Sequence, residues 1–316
     1  SDASGSQTRV RTRAVVRHKP WIEKYRPKKV TDVQHQEEVV STLTRAIASG
    51  NLQHLLFYGP AGTGKTTSIL ALAHELFGPE LMKERVLELN ASDDRGIDVV
   101  RTRIKRFAQF TVGSAPSNSK YPCPPFKLII LDEADSMTAP AQAALRRTME
   151  DYSKVTRFCL ICNYVSRIIE PLASRCAKFR FRPLEGEVMV PRLRYIAEAE
   201  GMNCPDRVLT DLIRVSEGDM RKAIMFLQCL YQLNGTDVSD ADVDEIAGVV
   251  PQPKIVELAH MCRNGTFSRL QENVRSLLAD GYSVKRIIKQ LFMYLVEMSE
   301  VDQQLISSSK LSEIAE

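Results

Sequence analysis

The chain has 316 residues and 35.6 kDa, with 44% hydrophobic and 26% charged side chains and 15 glycines beside 15 prolines. Such a length asks for two or three cores, and the composition excludes collagen-like and largely disordered chains. The longest uncharged apolar run in a plausible helix, Ala223 to Thr236, is too short to cross a bilayer, and no charged-then-apolar leader opens the sequence. An intracellular protein without membrane contact is expected.

The seven cysteines are scattered singly and are expected to be reduced thiols. Cys159 and Cys162 form a CxxC inside an apolar strand pattern, where alternation sends positions i and i+3 to opposite faces, so they cannot share a metal. The net charge of +4 is unevenly spread: +4 in residues 1 to 20, +6 in 21 to 186 and −6 in 187 to 316. A polyanion should bind the first two segments and avoid the third.

In chain order, residues 1–19 are rich in Ser, Thr and Arg and read as a flexible basic tail. From His54 onward, short apolar runs alternate with amphipathic stretches. Strands are expected at His54 to Tyr58, Val86 to Asn90, Lys127 to Asp132, Arg157 to Cys162 and Ala177 to Phe181, with helices between them. That pattern describes an α/β unit with a mostly parallel five-stranded sheet. After Pro183 strand signals stop. Glu187 to Leu233 and Lys254 onward read as two helical units, separated by the polar stretch Asn234 to Asp244 and by Pro251 and Pro253.

Gly59-Pro60-Ala61-Gly62-Thr63-Gly64-Lys65-Thr66 is the G-x-x-x-x-G-K-[ST] phosphate loop, placed between an apolar strand and the helical pattern that opens at Thr67. Its glycines let backbone N–H groups close on phosphate oxygens at a helix N-terminus. Lys65 is suited to reach the β and γ phosphates, and the Thr66 hydroxyl to bind Mg²⁺. A second acidic element follows in Leu128-Ile129-Ile130-Leu131-Asp132-Glu133, a buried strand running into two carboxylates. Asp132 should orient the magnesium shell and Glu133 should polarise the water that attacks ATP. Asp132 to Asp135 spells DEAD, but a helicase of that kind needs a second α/β motor half, and the helical region after residue 186 offers none.

Further along stand Leu160-Ile161-Cys162-Asn163, Ser174-Arg175-Cys176 and Gly218-Asp219-Met220-Arg221. With the phosphate loop and the DEAD element, and with Pro20 to Pro27 and Leu89 to Gly96, this order resembles the AAA+ ATPases and, in its wording, the small subunits of the eukaryotic clamp loader replication factor C. The similarity runs from about residue 20 to about residue 290. The resemblance implies an AAA+ α/β ATPase domain over 20–184, a helical lid over 185–236 and an all-α collar over 237–316. It implies that Ile22 and Arg26 lie beside adenine and that Asn163 and Arg221 sense the nucleotide. It also implies that Arg175 acts in trans, as an arginine finger on the ATP of a neighbouring subunit. A lone Arg would more readily be a surface ion pair.

DNA contact is less directly legible. Arg101 and Lys105 share a face at i and i+4, flanked by Arg103 and Arg106, with Ile97, Val100, Ile104, Phe107 and Ala108 as the buried stripe; taken alone this reads as a solvated helix face. The resemblance implies that this helix and the next, with Arg146 and Arg147, line the inside of a spiral and touch DNA phosphates. It further implies ATP and Mg²⁺ as cofactors, a hetero-pentamer with other replication factor C subunits, the sliding clamp proliferating cell nuclear antigen, primer-template DNA and the nucleus. Two other functions stay open: a DNA-translocating AAA+ motor, and a scaffold that holds ATP without turnover. An intact Glu133 argues against the scaffold.

Overall fold

The computed structural model describes residues 19–32, 36–49, 51–92, 100–109, 120–238 and 240–313. The tail up to residue 18, and the segment 93–99 with Asp93 to Gly96 and Ile97, lie outside the described residues.

Five strands form one all-parallel sheet: β1 (Leu55–Tyr58), β2 (Val86–Asn90), β3 (Lys127–Asp132), β4 (Thr156–Cys162) and β5 (Ala177–Arg180), in spatial order β2-β3-β4-β1-β5. All five fall within a residue of where the apolar runs place them. β3, β4 and β1 are covered on both faces, which is why they read as near-continuous apolar runs. On one face Leu55, Phe57, Ile130 and Ile161 pack against α2 (Glu37–Ser49) and α3 (Lys65–Arg85) through Leu43, Ile69, Leu72 and Leu76. On the other, Leu56, Ile129, Leu131 and Leu160 meet α4 (Lys105–Gln109), α5 (Ala139–Asp151) and α6 (Glu170–Ala173) through Ala108, Leu145 and Leu172. Cys159 belongs to the first face and Cys162 to the second, as alternation requires. Burial pushes the Cys162 thiol up to about 12, so both behave as apolar filler.

Helix α3 is broken at Gly78, whose φ of 69° no helix can carry, and Pro79 follows. A Cβ there would stand 2.5 Å from the Tyr121 ring.

The second unit comprises α7 (Gly186–Ala199), α8 (Asp206–Ser216), α9 (Met220–Asn234) and α10 (Asp240–Ala247). Its core joins Met189, Leu193, Leu209, Leu212, Leu227 and Leu230 with Val243. The expectation that Asn234 to Asp244 separates two units needs correcting: within it α10 starts, and Val243 and Ile246 pack α10 onto this core. Polar residues on its outer side conceal a short helix with only one apolar edge. The short helix α1 (Trp21–Lys24) also joins this unit, with Trp21 in its core.

The third unit is α11 (Gln252–Asn264), α12 (Phe267–Ala279) and α13 (Val284–Glu313), around Val250, Ile255, Leu258, Leu277 and Ile287. Lys289 of α13 pairs with Glu217 of the lid at 2.6 Å. No helix among the described residues is long and apolar enough to cross a membrane.

Candidate nucleotide site

The phosphate loop leaves β1 and enters α3 through three glycines with positive φ: Gly59 at 144°, Gly62 at 71° and Gly64 at 91°. Two of them are also forced by space. A Cβ on Gly59 would lie 2.2 Å from the Phe181 carbonyl oxygen, and one on Gly62 would lie 1.8 Å from Asp219 Oδ1. The first turn of α3 has no side-chain cap, so its N–H groups face the loop's concavity.

Four side chains converge at the mouth of that loop. The Thr66 hydroxyl donates to Asp132 Oδ2 at 2.7 Å. The buried Lys65 ammonium donates to the carbonyl oxygens of Gly59 and Pro60, both at 2.7 Å, and to Asn163 Oδ1 at 3.1 Å. Burial holds Lys65 below the usual lysine range, and the Asp132 carboxylate opposes that shift. Glu133 follows Asp132 in a left-handed backbone conformation, φ 52° and ψ 38°, which costs about 1 kcal/mol or more for a non-glycine residue and turns the chain sharply at the strand end. Asp135 Oδ2 accepts from the backbone N–H groups of Asn163 and Tyr164, at 3.2 and 3.1 Å, tying the end of β4 to the turn after β3.

Most of these residues line one cleft. Its walls include Ala61, Gly62, Thr63, Gly64, Lys65, Thr66 and Thr67 from the loop, Asp132, Glu133 and Asn163 from the strand ends, and Arg221 from α9. Ile22 and Arg26 close it at the N-terminal segment. Gly59 and Pro60 are not on the wall and act through the carbonyls that hold Lys65. Asp219 caps α9 by accepting from the backbone N–H groups of Arg221 and Lys222, which places Arg221 on the first turn facing the cleft.

Sequence reasoning missed Tyr25, Pro27, Asp32, Leu184, Arg192, Met220 and Ile224, which also line the cleft. Tyr25 and Pro27 sit inside a segment already singled out, and Met220 and Ile224 flank Arg221 on one face of α9. Arg192 and Leu184 carry no local signal.

Arg175 is not brought to this cleft. Its guanidinium lies on Glu150 at the end of α5 and donates to the Pro171 carbonyl. Lys105, Arg106 and Arg147 are exposed, and the turn Val100–Ile104 packs against α5. The backbone of Arg101 belongs to that turn, but its side chain lies outside the described residues.

A phosphate loop under a helical lid, at the carboxyl ends of a parallel sheet, is the arrangement of an AAA-type ATPase. The family model for the ATPase family associated with various cellular activities matches residues 55–184, and the replication factor C C-terminal domain matches 250–316, past the point near 290 where the resemblance was expected to fade. The chain is 57% identical to replication factor C subunit 4 of Arabidopsis thaliana, over 88% of this chain and 82% of that one. It is 54% identical to replication factor C subunit 4 of Homo sapiens, over 93% and 82%, and 50% identical to replication factor C subunit 2 of Saccharomyces cerevisiae, over 90% and 84%. The chain therefore belongs to the replication factor C small subunits, and is an ATPase subunit of a multi-subunit clamp loader. Among solved structures, the RuvB branch-migration motor of Thermotoga maritima shares the fold, with a TM-score of 0.55 over 84% of this chain and 91% of that one at 16% identity.

Proposed function

We propose that this chain hydrolyses ATP with Mg²⁺ as one member of a hetero-pentamer of replication factor C subunits. Turnover is coupled to opening the sliding clamp, proliferating cell nuclear antigen, and to placing it on primer-template DNA in the nucleus. The observation that carries the reading is the Thr66–Asp132 contact of 2.7 Å beside a buried Lys65 and next to Glu133. A hydroxyl and a carboxylate are hard oxygen donors that suit magnesium, and a loop of glycines at positive φ that runs into an uncapped helix N-terminus suits a polyphosphate.

Bound magnesium supplies charge neutralisation on the phosphate oxygens. Within the chain, Thr66 and Asp132 would hold it. Lys65, pinned by two loop carbonyls, would turn its third N–H from Asn163 to the phosphates. Glu133 orients the attacking water and takes its proton. Asn163 bridges from β4 to Lys65 and polarises the same end of the site. Arg221 reports the nucleotide to the lid. Ile22 and Arg26 flank the adenine.

Arg175 stands off its own cleft and serves the adjoining subunit, where a guanidinium offsets charge developing in the transition state. Lys105, Arg106 and Arg147, together with Arg101, follow DNA phosphates without reading bases. The units are a tail to residue 19, an ATPase unit over 20–184, a lid from 185 that takes in α10 by its packing, and a collar from about residue 250 onward.

Glu133→Gln tests the reading. ATP binding and assembly should survive in this variant while hydrolysis falls by about 10² to 10⁴. Loss of ATP binding there would contradict the assignment of Glu133.

A further inference from the structure

The N-terminal segment that walls the nucleotide cleft is tethered to the lid. The Trp21 backbone N–H donates to Gln228 Oε1 at 3.0 Å, and the Trp21 ring is buried in the lid core, 5.4 Å from the Tyr231 ring. Arg192 donates to the Tyr25 carbonyl. At the end of α7, Glu200 Oε1 accepts from both the Tyr25 hydroxyl and the Lys24 ammonium, each at 2.7 Å. The Glu200 side chain is only 15% exposed, so this carboxylate is well shielded for a group that holds two partners. Tyr25 further leans edge-on against Tyr195 of α7, with ring centroids 6.1 Å apart.

We infer that Glu200 is a positioning residue for the nucleotide: through Tyr25 and Lys24 it holds the segment carrying Ile22 and Arg26 against the lid, and so sets the affinity for the nucleoside end of ATP. The inference rests on the proposed nucleotide site. Glu200 lies on none of the cleft walls and acts only through the residues it holds. The tethers named here end on α7 and α9, so the adenine side of the cleft is held by the lid, while the phosphate loop is built on the sheet. A defect at Glu200 must therefore weaken recognition of the base and spare recognition of the phosphates.

The experiment compares equilibrium binding of ATP and of inorganic triphosphate, each with Mg²⁺, to the full chain and to Glu200→Ala, Glu200→Gln and Lys65→Ala. Glu200→Ala should weaken ATP binding about five- to twentyfold and leave triphosphate binding unchanged. Glu200→Gln should stay within about threefold of the parent, because the amide oxygen still accepts from Tyr25 and Lys24. In the assembled complex Glu200→Ala should raise KM and leave kcat at saturating ATP within about twofold. Wild-type ATP affinity in Glu200→Ala, alongside lost affinity in Lys65→Ala, overturns the role of Glu200 and leaves the site intact. Unchanged affinity in both overturns the site and the inference with it. If Glu200→Ala does not fold, Tyr25→Phe deletes only the hydroxyl and should cost ATP about two- to fivefold with no loss for triphosphate; unchanged ATP affinity there overturns the inference equally.

Discussion

A Cβ at Gly62 would stand 1.8 Å from Asp219 Oδ1 and 2.9 Å from Asp219 Cα, on a backbone with φ of 71°. The carboxylate could swing aside, but the Asp219 backbone is the cap of α9 and cannot. Gly62→Ala should therefore part the loop from the lid and weaken ATP binding by about tenfold or more, with far-ultraviolet circular dichroism unchanged. The glycine motif itself was plain in the sequence. That one of its glycines touches the lid was not, because the contact joins residues 157 positions apart. Glu133 is similar: its identity was legible, but its left-handed turn was not, since nothing about a Glu-Ala pair requires positive φ. At the other end of the sheet, burial and the nearby Arg157 hold His54 down at about 4, while its Nδ1 accepts from the Phe158 N–H at 3.2 Å. The unfolded chain then takes up this proton near pH 6.5 and the folded one only near pH 4. Stability should be fully kept above about pH 6.5 and be lost as pH falls toward 4, with a slope of at most about 1.4 kcal/mol per pH unit from this group. Thermal melts of His54→Gln across that window should show a shallower slope than the parent.

Among elements, β3, β4 and β1 were the most legible, because strands buried on both faces leave short continuous apolar runs. α10 was the least legible, because a helix lying at the rim of a core needs only Val243 and Ile246 on one edge and can be polar elsewhere. Likewise the attachment of α1 to the lid depends on Trp21 meeting Tyr231 and Gln228, a pairing that no local pattern announces. The turn Val100–Ile104 leads into α4 and packs beside α5, and Lys105, Arg106 and Arg147 are exposed on these helices. If these helices follow a duplex, replacing Arg101 and Lys105 with Ala should weaken primer-template binding by the assembled complex equally across sequences and lower the salt slope by roughly two. Basal ATPase should stay unchanged. A loss seen instead on deleting residues 1–19, with the helix variant behaving normally, would move the DNA contact to the tail.

At the scale of the whole molecule, the surface is incomplete in two places. On α13, Ile288, Phe292 and Leu295 are 60%, 62% and 51% exposed at helical spacing, an apolar stripe that a free subunit would keep in water. Phe292→Glu should block assembly with the other subunits in sizing experiments while ATP binding by the chain is retained. The second place is Arg175, whose guanidinium rests on Glu150 and is absent from the walls of its own cleft. Sequence context suggested that separation, yet only the packing of α5 and α6 displays it, since the distance from the cleft to Arg175 is set by the whole α/β layer. Steady-state ATP hydrolysis by the full chain, alone and reconstituted with the other replication factor C subunits, probes the completion of the site by a neighbour. Turnover should be slow for the chain alone and rise at least about tenfold on assembly, and Arg175→Ala in this chain should lower turnover of the complex without weakening its own ATP binding. Hydrolysis as fast in the isolated chain as in the complex, indifferent to Arg175, would contradict it.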